Sequence, residues 1–317
     1  LNTASPKRRK ERIDRGIKIR SDGLYALMSW REMAYLIIPR TVLIGGLLLL
    51  PLVLPGMYWP RVITITCIYA LLALGFDFLA HYVGLVCLGG AFFVGVGGYL
   101  AAILNTSFGL PPLLTVPLAT VLGAGICTLL LFPCLPLRGV YFAIVSLMYP
   151  LFAARVIEAF DIFGGTDGIL GIEGFSNRWV EQYFVIGIML VFLFALRRLV
   201  NTDLGLVLRG VKDNDQAIRA SGMNITRFKT IAVFIAAALG CLGGACLVHI
   251  YMWSGISQFA LDFSILPIAA TVIGGSATLV GPVLGCLILL AFVVFRSEGL
   301  MVYGQRKYHQ FERWTNI

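Results

Sequence analysis

Charge is what this chain has least of. Only 13% of its 317 residues are Asp, Glu, Lys or Arg, against 59% hydrophobic, and the mean hydropathy is +0.88. A soluble domain of this length cannot hide so much apolar surface. Histidine is scarce too: His81, His249 and His309 stand far apart in sequence. Cys67, Cys87, Cys127, Cys134, Cys241, Cys246 and Cys286 fall in or beside apolar runs, and no CxxC occurs. That pattern speaks against a metal site or a disulfide framework and reads as thiols used as small apolar fillers. No GxxxxGK[ST] phosphate loop and no nucleophile–base set exist, so the chain is not expected to be an enzyme by itself.

What the chain does have is repeated apolar runs near the roughly 20 residues needed to cross a bilayer. In lipid the backbone must bond to itself, and the alternation of a barrel is absent, so the spans are expected to be helices. The fold class that follows is an all-α polytopic membrane protein with about eight transmembrane helices and glycine-rich broken or re-entrant segments. The expected spans are 41–59, 62–82, 84–104, 113–135, 139–160, 183–199 and 230–253, followed by a broken apolar region at 263–295.

The net charge of +9 is placed unevenly. Ten basic residues precede Thr41, and seven more lie at 197–229: Arg197, Arg198, Arg209, Lys212, Arg219, Arg227 and Lys229. With no basic folded domain available, nucleic acid is not an expected partner. The positive-inside rule instead puts both clusters in the cytoplasm. Counting spans from a cytoplasmic N-terminus lands 200–229 inside and 105–111 and 161–181 outside, in agreement. Residues 1–40 read as a basic tail with an interfacial helix near 23–38, not as a signal peptide, since no apolar stretch and cleavage site follow in order. Residues 298–317 read as a polar tail.

Four segments stand out. Gly84–Tyr99 (GLVCLGGAFFVGVGGY) carries six glycines, which serve either tight helix packing or a break in the helix that lines a path. Phe163–Phe175 (FGGTDGILGIEGF) is either a solvated loop or a structured outer surface. Val272–Gly285 (VIGGSATLVGPVLG) predicts a bent or re-entrant hairpin. In 204–229, Asp213 or Asn214 can cap a short helix near 215–221 that Gly222 stops, and Asn224 or Thr226 can cap the next span. Ala217, Ala220 and Ser221 make one side of that short helix small enough for another protein to dock. Arg155 and Glu158, and Asp77 and His81, share helical faces and read as structural or interfacial pairs.

These segments, in this order, resemble the second permease subunit of bacterial branched-chain amino acid ABC importers. Ala73–Tyr99 is similar to that family's glycine-rich region, Arg138–Leu147 (RGVYFAIVSL) with Gly164–Gly171 to its central motifs, Gly205–Lys229 to its coupling loop, and Ile273–Gly285 to its GG.GTL.GP..G signature. The chain departs from the family at Asp77, usually Asn, at His81, usually Gly, and at Gly90, often His. Phe295–Leu300 (FRSEGL) also follows the last apolar run directly, where the family has another span.

The resemblance implies a permease domain over 41–297 in the bacterial inner membrane. Its expected partners are a second homologous permease subunit, two ATPase subunits, an external substrate-binding protein and the lipid bilayer. The chain itself is expected to bind no cofactor and no metal; ATP and Mg belong to the partner ATPases. Arg209, Asp213, Asn214, Ala217, Ala220 and Gly222 correspond to the ATPase-coupling loop. Gly84, Gly95, Gly97, Tyr99, Gly274, Gly275, Gly281 and Pro282 correspond to the substrate path or its gate, and Gly164, Gly165, Thr166 and Asp167 to the external docking surface or gate. Urea, short amides or other amino acids remain alternative substrates. A secondary transporter or an inactive assembly subunit remain alternatives of other classes.

Overall fold

The structure, a computed structural model, describes residues 58–137, 139–175 and 177–295, together with residue 45. The basic tail, most of the expected span 41–59, Arg138 and the FRSEGL segment beyond Phe295 lie outside the described residues. The chain divides into two units, Leu1–Leu50 and Pro51–Ile317, and Tyr58–Phe295 belongs to the second.

Its first helix, α1, runs Tyr58–Asp77 and continues as a π-helical turn, Phe78–Val83, which Gly84 ends in the left-handed region at φ 78°. Residues 84–89 form no regular element. Helix α2 then runs Gly90–Phe108 and stops at Gly109. The expected span 84–104 is therefore helical only from Gly90. Two hydroxyls stand in for the missing turn: Leu88 N–H donates to Ser146 Oγ and Ala91 N–H to Ser264 Oγ.

Helix α3, Pro112–Leu131, begins with a proline in its first turn, where the missing N–H costs nothing. α4, Val140–Phe160, continues through Pro150, and its Tyr149 hydroxyl donates to Leu130 O of α3. α5, Arg178–Val200, is capped by the Asn177 side chain, which accepts from Trp179 N–H. Two short helices follow, α6 (Asp203–Asp213) and α7 (Asp215–Ala220), and then the long α8, Ile225–Tyr251. The last two, α9 (Asp262–Gly274) and α10 (Val280–Phe295), form a hairpin about the turn 275–279. The expected bent hairpin is thus a pair of helices meeting glycine against glycine: a β-carbon on Gly274 would overlap the Gly281 carbonyl, and one on Gly285 the Ala270 carbonyl.

Among the described residues seven helices are long and apolar enough to cross a membrane, with a shorter apolar helix at Val280–Leu289. The protein is an all-α polytopic membrane protein. α8 is the hub, packed on α1, α2 and α3 and buried without a break from Leu239 to Ile250. α3 and α4 present apolar side chains outward, among them Leu118, Val121, Leu129, Ile144 and Phe152, as lipid-facing helices do.

The two ends of the bundle are distinct. Gly84, Gly139 and the α6–α7 segment meet at one end, where they line a common cleft. Asn105 and residues 167–173 meet at the other, with Ser254. The segments 200–229 and 161–181, which the span count puts on opposite sides, thus lie at opposite ends of the bundle.

Candidate functional site

At the α6–α7 end, Asn214 Oδ1 accepts from Gln216 N–H at 3.0 Å and Ala217 N–H at 3.2 Å, starting α7. Gly222, at φ 81°, stops the segment. Asn224 then caps α8 by accepting from Arg227 N–H. Asp213, Asn214, Ala217 and Ala220 are exposed, so the small-residue side of α7 is open. Underneath, α7 is pinned by a buried ion pair: Lys229 Nζ of α8 lies 3.2 Å from Asp215 Oδ2, with side chains 8% and 10% exposed. A cleft of about 270 Å³ opens beside it, lined by Gly84, Gly139, Lys212, Asp213, Asp215 and Lys229 among others. Lys212 Nζ donates to His81 O at 2.9 Å, and the exposed Arg209 guanidinium sits 5.4 Å from the Tyr82 ring centre. Both contacts fasten α6 to the π-helical end of α1.

The glycines of 84–99 serve several different contacts. Gly84 sits against Lys212, at the cleft. Gly95 and Gly98 face Phe259 and Gln258 so closely that a β-carbon on either would overlap those side chains. Gly97 faces the backbone of Cys241, and α8 answers with Gly240 against Phe93 and Gly244 against the Val94 carbonyl. The α2–α8 seam is therefore a reciprocal small-residue contact. Tyr99 is buried, 5.7 Å from Phe259 and 6.2 Å from Phe163, centre to centre. Gly274 and Gly281 belong to the hairpin contact, Gly275, at φ 101°, to its turn, and Pro282 is buried in the first turn of α10.

At the opposite end, the glycine-rich stretch 161–175 is docked rather than loose. Ile169 and Ser254 form an antiparallel bridge, with N···O distances of 2.8 and 3.2 Å. Trp253 Nε1 donates to Asp167 O and Glu173 N–H to Asn105 Oδ1. His249 ties the region together: Nδ1 lies 2.7 Å from Glu173 O and Nε2 2.7 Å from Thr115 Oγ1. A carbonyl only accepts, so Nδ1 carries the proton there. Gly164 and Gly165 adopt positive φ, and Thr166 and Asp167 are left exposed at the tip of a held platform.

Sequence reasoning overlooked several residues. Asp77, read as half of an interfacial pair, does approach His81 Nδ1 at 2.8 Å, but it is fully buried. Its carboxylate also accepts from Ala277 N–H at 2.8 Å and Leu279 N–H at 3.4 Å. No spacing rule joins residues 200 positions apart. Ser146 and Ser264, the two hydroxyls at the break, look in sequence like ordinary small residues of a span. Lys229 sits within the recognisable coupling-loop pattern, but its partner Asp215 emerges only once α7 folds back on α8. Arg155 and Glu158 do pair, at 2.6 Å, on the open face of α4. Among the described residues no group of three or more His, Cys, Asp or Glu could hold a metal ion.

The family described as "Branched-chain amino acid transport system / permease component" matches residues 60–311. The chain is 28% identical over 283 residues to the high-affinity branched-chain amino acid transport system permease protein LivM of Salmonella typhimurium, covering 77% of this chain and 67% of that protein. It is 26% identical over 226 residues to the probable branched-chain amino acid transport permease protein LivH of Methanocaldococcus jannaschii, covering 66% and 69%. It is 30% identical over 162 residues to the ribose import permease protein RbsC of Escherichia coli K12, covering 48% and 46%. No solved structure shows significant similarity.

Proposed function

The chain belongs to the branched-chain amino acid transport system permease family, and from this premise we propose that it is one of two unlike permease subunits of a bacterial ABC importer for branched-chain amino acids. A second homologous permease subunit completes the transmembrane path. Two ATPase subunits bind the α6–α7 end, an external binding protein delivers substrate to the opposite end, and the N-terminus is cytoplasmic. ATP and Mg are used by the ATPases, not by this chain, which performs no covalent chemistry.

The observation that carries the reading is α7. It is capped, stopped and anchored by a buried ion pair, yet it turns exposed alanines outward. A solvated connector has no need of that anchoring. A helix that must pass force from a docked partner into the bundle does. ATP-driven closure of the ATPases pulls α7, and rigid-body rocking of the helices alternates access to the path. Gly95, Gly97, Tyr99 and the hairpin glycines Gly274, Gly275 and Gly281, with Pro282, are assigned to that path or its gate. Gly164, Gly165, Thr166 and Asp167 form the external docking surface.

The test is reconstitution. The chain, its partner permease, the ATPases and the binding protein are placed in vesicles, and uptake of labelled leucine, isoleucine and valine is measured against urea and ribose. ATP-dependent import of the branched-chain amino acids is expected. Import of urea or ribose alone would overturn the substrate assignment, and import without the ATPases would overturn the mechanism.

A further inference from the structure

The π-helical turn Phe78–Val83 lies between the coupling loop and the glycine hairpin, and it touches both. π-Helix is rare and persists where surrounding contacts hold it, commonly at functional positions. Here the contacts come from two directions. From α6, Lys212 Nζ donates to His81 O and Arg209 lies over the Tyr82 ring. Toward the hairpin, Tyr82 Oη donates to Ala277 O at 2.7 Å, while Asp77 accepts from the backbone of Ala277 and Leu279.

The hairpin turn depends on those bonds. Ala277 and Leu279 adopt φ of 65° and 56°, left-handed conformations that non-glycine residues enter only when held. Both of their N–H groups are satisfied by one carboxylate, a charge-assisted arrangement stronger than a neutral one. The fully buried Asp77 in turn needs those donors, because a charge in this environment is costly without partners. Farther along the hairpin, Phe263 stacks on Tyr69 and Ser264 caps the Ala91 N–H at the break in the α2 span. A displacement of the turn therefore bears on the segment 84–90 as well.

We infer that the π-helical turn is the transmission element between the ATPase-docking segment and the hairpin α9–α10, with Tyr82 and Asp77 as its positioning residues. The inference rests on the permease reading above and adds a route to it. Each link is a named polar or cation–π contact, and the strained turn at its far end supplies an element that two arrangements of the π-turn can bias.

Tyr82→Phe tests it. The variant keeps the ring that stacks on Phe78 and lies under Arg209, and it deletes only the bond to Ala277 O. In the reconstituted importer, leucine moved per ATP hydrolysed should fall about fivefold, the scale of one lost hydrogen bond. Amide exchange at Ala277 and Leu279 supplies a second readout that a merely structural role would not move. In the wild-type assembly it should change between the nucleotide-free and ATP–vanadate states, and in Tyr82→Phe it should not. An unchanged ratio of leucine to ATP overturns the inference. So does hairpin exchange in the wild type that ignores nucleotide, and that measurement decides alone if the variant fails to assemble. Wild-type vesicles that hydrolyse ATP but import no branched-chain amino acid count against the substrate assignment instead, and leave the exchange comparison readable.

Discussion

Replacing Gly97 by alanine adds one methyl group where α2 and α8 leave no room for it. A β-carbon built there lies 2.6 Å from the Cys241 carbonyl carbon, and other Cys241 atoms are nearer still. Carbon pairs ordinarily rest about 3.5–4.0 Å apart, so the helices must part locally by about 1 Å. The seam is shared by Gly240 against Phe93 and Gly244 against Val94, and parting it loosens those contacts too. A gap of about that size forfeits a quarter to a half of each dispersion contact. Lipid offers no compensating hydrophobic gain, because packing itself drives helix association in a bilayer. The expected cost is about 1–3 kcal/mol, or about five- to 150-fold in the folding equilibrium. Equilibrium unfolding of the purified chain by SDS in mixed micelles measures it. Gly125→Ala serves as the control, since that helical glycine has nothing within 4 Å of an added β-carbon. Gly97→Ala should unfold at clearly lower SDS and Gly125→Ala should not. An unfolding midpoint equal to wild type refutes the packing argument. Should import be lost while the midpoint stays unchanged, Gly97 acts on the path rather than on the seam.

Ala217→Arg puts a long cation on the exposed side of α7 without touching the bundle core; the chain should insert normally and fail to co-purify with its ATPases, and intact co-purification with normal import would remove the docking assignment. Lys229→Met deletes the ion pair with Asp215, a loss of about 3–5 kcal/mol for a fully buried pair and less here, beside the open cleft. The exchange Asp215→Lys with Lys229→Asp should recover part of that loss, and a double-mutant cycle with no coupling between the two positions would show that the pair anchors nothing. In a cysteine-free background, a single cysteine at the exposed position 170 should react with an impermeant reagent from outside and one at 216 should be spared. The opposite labelling pattern would reverse the assigned orientation.

Local chemistry was legible in the sequence wherever polar residues punctuate the chain. Asn214 and Asn224 cap their helices as their side chains predict, Gly222 stops one as its free backbone predicts, and the Gly274–Gly285 stretch turns back on itself as its glycines demand. Facing was not legible. The spans are apolar all round, so periodicity does not say that Gly97 meets Cys241 while Leu118 is exposed. The non-helical segment 84–89 was also hidden, because its composition matches that of the helix it precedes. What holds the break is tertiary: Ser146 of α4 accepts from Leu88 N–H within the segment, and Ser264 of α9 accepts from Ala91 N–H in the first turn of α2. Asp77 was misjudged for the same reason. Its i,i+4 neighbour His81 is visible in sequence, but the two backbone donors it holds arrive from a hairpin 200 residues later.

The length of α8 has a thermodynamic consequence. Its 27 residues make a rod about 40 Å long, gripped near one end by Asp215 at Lys229 and near the other by Thr115 and Glu173 at His249. A ligand at one end that favours one position of this rod does work that a ligand at the other end must match or oppose. Linkage then fixes the two effects to a single factor. In the proposed importer, whatever factor nucleotide-bound ATPases impose on the grip of the external binding protein, that protein imposes on the affinity of the ATPase assembly for nucleotide. Titrating either partner in the presence and absence of the other measures the same number from opposite sides of the membrane.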